Sequence, residues 1–230
     1  RGVFAPEEKA DFGKLKLDEC FLDIGAGDEA AAKQLVQVGD SAVYDTPAFR
    51  TGDLVVSPYL DDRISCAVLL SALERIGECP NDLYLVFTAQ EEVGLRGART
   101  AAWSIAPDYA VAVDVTDVDD TPGSERAGTA RLGRGAAGKG MDSSVICHPA
   151  MVALLEDTAR EGDIPVQRDI MRAGGTDAGA IHLTRTGVIT GGISVPCRYI
   201  HTPAETASLS DADACVRLAA ALAQRPLEQP

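Results

Sequence analysis

Short apolar runs alternate with amphipathic stretches through most of this chain, and this alternation constrains the fold more than any other feature. Residues 83–89 (LYLVFTA) and 109–115 (YAVAVDV) are continuous apolar runs of strand length. Such runs are typical of strands buried on both faces of a mainly parallel sheet. Residues 65–77 instead carry apolar side chains at helical spacing. Strands that alternate with helices in this way predict an α/β sandwich.

The same alternation continues towards the carboxyl end of the chain. It predicts a strand over 188–195 and helices over 151–160, 176–185 and 211–224, the last with Ser210 as its N-cap. The glycine-rich stretch at 133–140 neither follows a strand nor opens a helix, as a dinucleotide-binding fingerprint would. We therefore favour a flexible connection there over a phosphate cradle.

The first part of the chain has a different pattern. Apolar runs at 20–25, 35–45 and 51–57 are cut by turn residues, with one helical stretch near 27–34. These features indicate small β structure. We expect a small β domain over 1–57 and a larger α/β domain over 58–230.

Composition narrows the function classes. Apolar residues make up 46% of the 230 residues and charged residues 24%, as in an ordinary globular protein. The net charge of −14 opposes binding to phosphate backbones and to anionic lipid heads, and no apolar run approaches the roughly 18 residues of a membrane span. The six cysteines include no C-x-x-C pair, which favours free thiols in a reducing cytoplasm. We therefore expect neither a nucleic-acid partner nor a membrane partner.

Acidic residues and a histidine follow the apolar runs. They are Asp61-Asp62, Glu91-Glu92, Asp114 and His201. Each alone has an ordinary explanation as a turn or a solvated residue. Open parallel sheets, however, bind ligands beyond the carboxyl ends of their strands, and four such positions together supply the oxygen and imidazole donors that a divalent transition metal requires. Of two adjacent glutamates, one can bind a metal ion and the other can act as a general base.

Several longer motifs resemble a known family. In order, they are YLDDR, VFTAQEEVGLRGARTA, AVDVT, DTPG, SVICHP, GGTDAGAIHLTRTGV and RYIHTPAE. The chain is similar to the two-metal glutamyl and tetrahedral aminopeptidases, metallopeptidase family 42, most densely over 58–206. The resemblance implies a three-layer α/β/α, zinc-exopeptidase-like catalytic domain and a small β-barrel-like dimerisation domain.

The resemblance also implies a role for each candidate residue. Asp61 would bridge two metal ions, and Asp62 would follow it through a cis peptide bond. Glu92 and His201 would complete the first ion's site, and Asp114 would bind the second ion.

Glu91 would be the general base. Asp177 would lie near the site, where a supporting role and a purely structural role at a helix start are equally open. His148 and His182 match family positions that are not metal ligands, so we expect both to be structural.

The implied activity is removal of N-terminal residues from short peptides in the cytoplasm, with two zinc, cobalt or manganese ions per subunit and assembly from dimers to dodecamers. The family supplies one further histidine from an early G-H-x-D strand, and none of the three histidines here matches it. We therefore expect the amino-terminal part of the catalytic domain to be missing from this chain: it either exists outside this sequence or is truly absent. If it is truly absent, Asp61 and Asp114 alone make a poor site, and the second ion should be weakly bound or its site empty. Two alternatives stay open: a catalytically compromised homologue that serves as an assembly or binding subunit, and a glycan hydrolase.

Overall fold

The computed structural model describes residues 1–7, 14–124 and 128–228. They form two compact units, residues 1–44 and residues 45–230. The sequence predicts a boundary after residue 57, but strands within 49–57 pair into the sheet of the second unit. The first unit is therefore shorter than expected.

The first unit is a small hairpin with one helix. Strand β1 (Val3–Pro6) pairs antiparallel with β2 (Cys20–Asp23). Helix α1 (Glu29–Leu35) begins after Asp28, whose carboxylate accepts the Ala31 N–H at 2.8 Å, as is usual for an N-cap. The apolar run predicted over 35–45 forms no strand within the described residues. Its valines Val38 and Val43 are exposed, so no packing favours a strand there.

The second unit is built on a seven-stranded sheet. Its strands are β3 (Phe49–Thr51), β4 (Leu54–Ser57), β5 (Tyr109–Asp117), β6 (Ala136–Met141), β7 (Val166–Ile170), β8 (Ile189–Arg198) and β9 (Glu205–Ser208). The order is β3-β4-β9-β8-β6-β7, with β5 parallel to β8. Among the described residues of this sheet, two strand pairs are parallel and four antiparallel. The prediction of a mainly parallel sheet is wrong, because apolar runs report burial and not strand direction.

Helices cover both faces of this sheet. They are α2 (Leu60–Arg75), α3 (Arg96–Ile105), α4 (Pro149–Glu161), α5 (Ala178–Ile181) and α6 (Leu209–Ala223). Strand β5 shows how the faces divide, because successive side chains of a strand point to opposite faces. Val113 and Val115 pack into the large core that contains residues of α2, α4 and α6, whereas Ala112 packs with Ala178 of α5. The expected α/β/α arrangement of a central sheet and helices is confirmed.

Several predicted elements differ in detail. The glycine-rich stretch at 133–140 is mostly strand β6, in which Ala136 and Ala137 are fully buried, so it is neither a flexible connection nor a phosphate cradle. The helix predicted over 176–185 is only the short α5. Helix α6 has Ser208, rather than Ser210, as its N-cap, because the Ser208 hydroxyl accepts the Asp211 N–H.

Residues 82–88 have no regular secondary structure in the described part of the chain, so the strand predicted over 83–89 is wrong. Leu83, Tyr84, Val86 and Phe87 are all exposed. An apolar run becomes a strand only where a neighbouring strand pairs with its backbone, and no such neighbour occurs among the described residues. No helix in the described part of the chain is long and apolar enough to span a membrane.

Candidate metal centre

The first turn of α2 carries two adjacent carboxylates. Tyr59, just before the helix, is in the left-handed region with φ 63°. Asp61 and Asp62 have non-helical backbone angles, and the peptide bond between them is cis, as the family resemblance implies. Regular helix therefore begins only after Asp62. This start holds the backbone of Asp61 beside β9, where its N–H donates to the Glu205 carboxylate at 2.9 Å.

One group of possible ligands consists of Asp61, Glu92 and His201. The His201 Nε2 lies 3.0 Å from Asp61 Oδ2 and 3.2 Å from Glu92 Oε2. Glu92 follows the irregular segment 82–88, and His201 lies in the turn between β8 and β9. The side chain of His201 is 67% exposed and that of Glu92 is 56% exposed, so the group is open to solvent and to an incoming ion.

A second group consists of Asp61, Asp62 and Asp114. Asp114 lies in β5 on the same face as Ala112, because side chains two residues apart share a face. Its Oδ1 accepts the Val115 N–H at 2.7 Å. In each group the ligand atoms lie within 4.8 Å of one another. Asp61 belongs to both groups, which is the arrangement needed for a carboxylate shared between two ions.

The electrostatics of these carboxylates also fit a cation. Burial and the charge of Glu92 raise the pKa of Asp61 to about 6, and burial raises the pKa of Asp62 to about 8. Burial and the charges of Asp62 and Asp61 raise the pKa of Asp114 well above its usual range. Ionised carboxylates here repel one another in a poorly solvated place. A divalent cation would supply the missing positive charge, so the donor set fits a metal ion.

Glu91 lies beside these groups but belongs to neither. Burial, then the negative charges of Asp177 and Glu92, raise its pKa to about 7. Asp177 accepts a hydrogen bond at 2.6 Å from the Thr88 hydroxyl, and its other carboxylate oxygen is buried without a hydrogen-bond partner among the described residues. Asp177 is thus close enough to influence Glu91, while its own position is fixed through Thr88.

Sequence reasoning missed Glu205, which begins β9 and is only 3% exposed. Its two oxygens accept the backbone N–H groups of Asp61 and His201, at 2.9 and 2.8 Å. The available signal was its place in the RYIHTPAE motif, four residues after the candidate ligand His201.

The other two histidines have structural contacts. The Nδ1 atom of His148 accepts the Ala150 N–H at the start of α4, and the His182 ring is hydrogen-bonded to the Ala178 carbonyl. Both rings therefore make hydrogen bonds to the backbone at a helix end, as expected for structural residues. All six cysteines are free, and burial raises the pKa of the Cys147 thiol to about 11, the opposite of what an activated nucleophile needs.

Fold and site together define a mixed α/β protein with a carboxylate- and imidazole-lined site that could hold a metal ion. The chain belongs to the M42 glutamyl aminopeptidase family, whose family model matches residues 3–218.

Individual relatives agree with this assignment. A protein of Acetivibrio thermocellus is 47% identical over 94% of this chain and 65% of its own length. The solved structure of aminopeptidase APDkam598 from Desulfurococcus kamchatkensis has a TM-score of 0.93 at 38% identity, over 98% of this chain and 65% of that chain. The TET1 peptidase of Pyrococcus horikoshii, which can assemble into a tetrahedron or a large octahedral shell, has a TM-score of 0.79 at 29% identity, over 94% and 64%. The chain thus spans less than two thirds of the length of these relatives.

Proposed function

We propose that this protein is a metal-dependent aminopeptidase that removes N-terminal residues from short peptides. The observation that carries the proposal is the sharing of Asp61 between two groups of ligand atoms. A carboxylate between two divalent ions is typical of two-metal hydrolases, including aminopeptidases. Membership of the M42 family and the aminopeptidase name of the solved relative support the same activity.

Asp61, Glu92 and His201 would hold one ion, and Asp61 with Asp114 the other. When bound, divalent ions polarise a scissile carbonyl and make water a better nucleophile at neutral pH. The first group includes an imidazole nitrogen, which suits zinc or cobalt, whereas the second offers only carboxylates among the described residues, which suits manganese. We expect the first group to bind its ion more tightly. The carboxylate of Asp62, which belongs to the second group, would support the binding of this second ion.

Glu91 would act as the general base. Burial and the neighbouring carboxylates of Asp177 and Glu92 favour a proton on Glu91, and a general base must both take and return a proton. The Glu91 carboxylate would accept a proton from the attacking water and deliver it to the leaving amine. The negative charge of Asp177 would help Glu91 to take up this proton.

The adjacent glutamates provide a matched pair of variants for the test. We expect Glu91→Gln to keep its bound metal and to lose at least ~100-fold in kcat, because only proton transfer is removed. Glu92→Gln should instead lose metal, because it removes a ligand. Metal content and hydrolysis of aminoacyl p-nitroanilides are measured for both variants. A Glu91→Gln enzyme with near-normal turnover would refute the role of the base.

The same assay separates the two alternative functions. A catalytically compromised subunit would bind cobalt or zinc without hydrolysing any aminoacyl substrate. A glycan hydrolase would cleave a glucan in the presence of a chelator, whereas an aminopeptidase of this kind loses activity when its ions are removed. Glucan cleavage has no separate support in the geometry, because the carboxylates gather around possible metal positions.

We further propose a cytoplasmic homo-oligomer. The assembly of the Pyrococcus horikoshii relative into shells supports an oligomer, and six free cysteines suit a reducing compartment. The predicted dimerisation domain would supply the contact. Light scattering on the full chain and on a variant that lacks residues 1–44 tests this, since the shortened chain should be monomeric.

A further inference from the structure

Glu205 is a buried carboxylate placed between two elements of the site. It is 3% exposed and is the first residue of β9. One oxygen accepts the Asp61 N–H at 2.9 Å and the other accepts the His201 N–H at 2.8 Å. An ionised carboxylate that accepts two backbone N–H groups makes strong, charge-assisted hydrogen bonds. One side chain therefore ties together two backbone segments that are distant in sequence.

These two segments present two neighbouring ligand atoms of the site. The side chains of Asp61 and His201 meet at 3.0 Å between Oδ2 and Nε2, and Glu205 holds the backbone of each of these residues. Neither backbone has the conformation of a regular element: Asp61 is non-helical inside α2, and His201 has φ 64°. The left-handed region is unfavourable for a residue other than glycine, so local preference alone does not hold His201 in place.

Glu205 itself is fixed by the sheet. Strand β9 pairs with β4, where Glu205 lies opposite Ser57, and with β8, where Arg198 lies opposite Thr206. A carboxylate anchored on a paired strand moves little, so the distance between its two oxygens sets the spacing of the amides that it accepts. Partners that orient metal ligands in this way typically change metal affinity by 10–100-fold when they are replaced.

We propose that Glu205 is a positioning residue that sets the separation of the Asp61 and His201 ligand atoms and so controls the affinity of the Asp61–Glu92–His201 site for a divalent ion. This inference rests on the proposed metal-dependent function. In this role Glu205 orients two metal ligands and does not itself contact an ion or a substrate.

Asp211 provides a matched control. It is 1% exposed, and its two oxygens accept the backbone N–H groups of Gly133 and Gly135, each at 2.7 Å. Asp211 therefore resembles Glu205 in burial, charge and number of accepted amides, but the amides it holds belong to no candidate ligand. Asp211→Asn should lower stability as Glu205→Gln does, without weakening metal binding.

The experiment measures the Kd of Co²⁺ by calorimetry for the wild type, Glu205→Gln, Glu205→Asp and Asp211→Asn, with the Co²⁺ absorption spectrum as a record of ligand geometry. In Glu205→Gln an amide NH₂ replaces one acceptor oxygen. We expect its Kd to rise ~10–100-fold with a changed spectrum. Glu205→Asp keeps both acceptor oxygens but withdraws them from the two amides by one methylene. Its Kd should therefore fall between those of Glu205→Gln and the wild type. The Kd of Asp211→Asn should stay within about twofold of the wild-type value.

The possible outcomes are distinct. If Glu205→Gln and Glu205→Asp bind Co²⁺ as the wild type does, or if Asp211→Asn weakens binding equally, Glu205 only stabilises the fold and the inference is refuted. If Glu205→Gln does not fold, the Kd and spectrum of Glu205→Asp decide the question. If the wild type itself binds no Co²⁺, Zn²⁺ or Mn²⁺, the proposed function fails, and the inference fails with it.

Discussion

The buried ion pair between Lys139 and Asp169 should be the interaction whose loss is most costly to stability. The Nζ atom of Lys139 on β6 lies 2.6 Å from the Oδ2 atom of Asp169 on β7, and both side chains are 0% exposed. The Thr116 hydroxyl on β5 donates to the same Asp169 oxygen at 2.8 Å and lies 3.2 Å from the Lys139 ammonium. Thr116 shares a face of β5 with Asp114, so the pair also anchors the strand that presents a candidate ligand.

The expected size of the effect follows from what each variant leaves behind. Lys139→Met removes the positive charge and leaves the Asp169 carboxylate buried with only the Thr116 hydroxyl, which should cost ~3–5 kcal/mol. Asp169→Leu leaves the ammonium buried and should cost a similar amount. In the double variant no charge is left unpaired, and the Thr116 hydroxyl can still donate to the Met171 sulfur at 3.6 Å. The double variant should therefore lie within ~1 kcal/mol of the wild type.

Urea unfolding followed by tryptophan fluorescence measures these differences. Trp103 is the only tryptophan of the chain and lies in α3 of the second unit, so its signal reports on the unit that contains the ion pair. The four free energies of unfolding form a double-mutant cycle, from which the coupling energy is obtained. Its expected value is several kcal/mol.

Two outcomes would refute this reasoning. A loss below ~1 kcal/mol in Lys139→Met would show that water or a rearrangement compensates the remaining carboxylate. A double variant as unstable as the sum of the two single variants would show that packing, and not charge pairing, dominates. Unchanged slopes against urea in all four proteins are needed for the comparison.

Two further predictions concern the metal site and one tight turn. The affinity for Mn²⁺ should rise as the pH increases from about 6 to 8, because Asp61 and Asp62, with pKa values of about 6 and about 8, must lose their protons before binding a cation; titrations that show constant or falling affinity would contradict this. Gly135→Ala should cost ~2–4 kcal/mol, because φ is +87° and the new Cβ would lie 2.2 Å from the Pro165 carbonyl oxygen. Gly133→Ala, at φ +74° with open space around it, should cost only ~1 kcal/mol in the same urea assay.

Much of the fold could be predicted from residue patterns. The apolar run at 109–115 becomes β5, and the helix predicted over 151–160 becomes α4, because apolar character and its periodicity can be seen in a local stretch of sequence. The run at 83–89 is also mostly apolar but has no pairing partner among the described residues. Strand formation is a property of two segments, so one run of residues cannot establish it.

The candidate ligands and base were predicted from the sequence, whereas Glu205, which holds the backbone of two of these residues, was not. Asp61, Glu92, Asp114 and His201 lie in two groups that share Asp61, and Glu91 lies beside them with a raised pKa. Chemistry-bearing residues can be recognised by type and motif, since few side chains can bind an ion or move a proton. Their assignment as ligands and base remains a prediction until metal binding and turnover are measured.

The sequence by itself identified the candidate ligands and base, several of the apolar segments and the family that the motifs resemble. Only the tertiary structure decided strand direction, the burial of the glycine-rich strand β6 and the hydrogen bonds of Glu205. Glu205 and Asp61 are 144 positions apart, and nothing in either local sequence shows that one will accept the backbone amide of the other. Such contacts depend on how strands and helices pack, because a hydrogen bond requires a distance and an angle that only the folded chain provides.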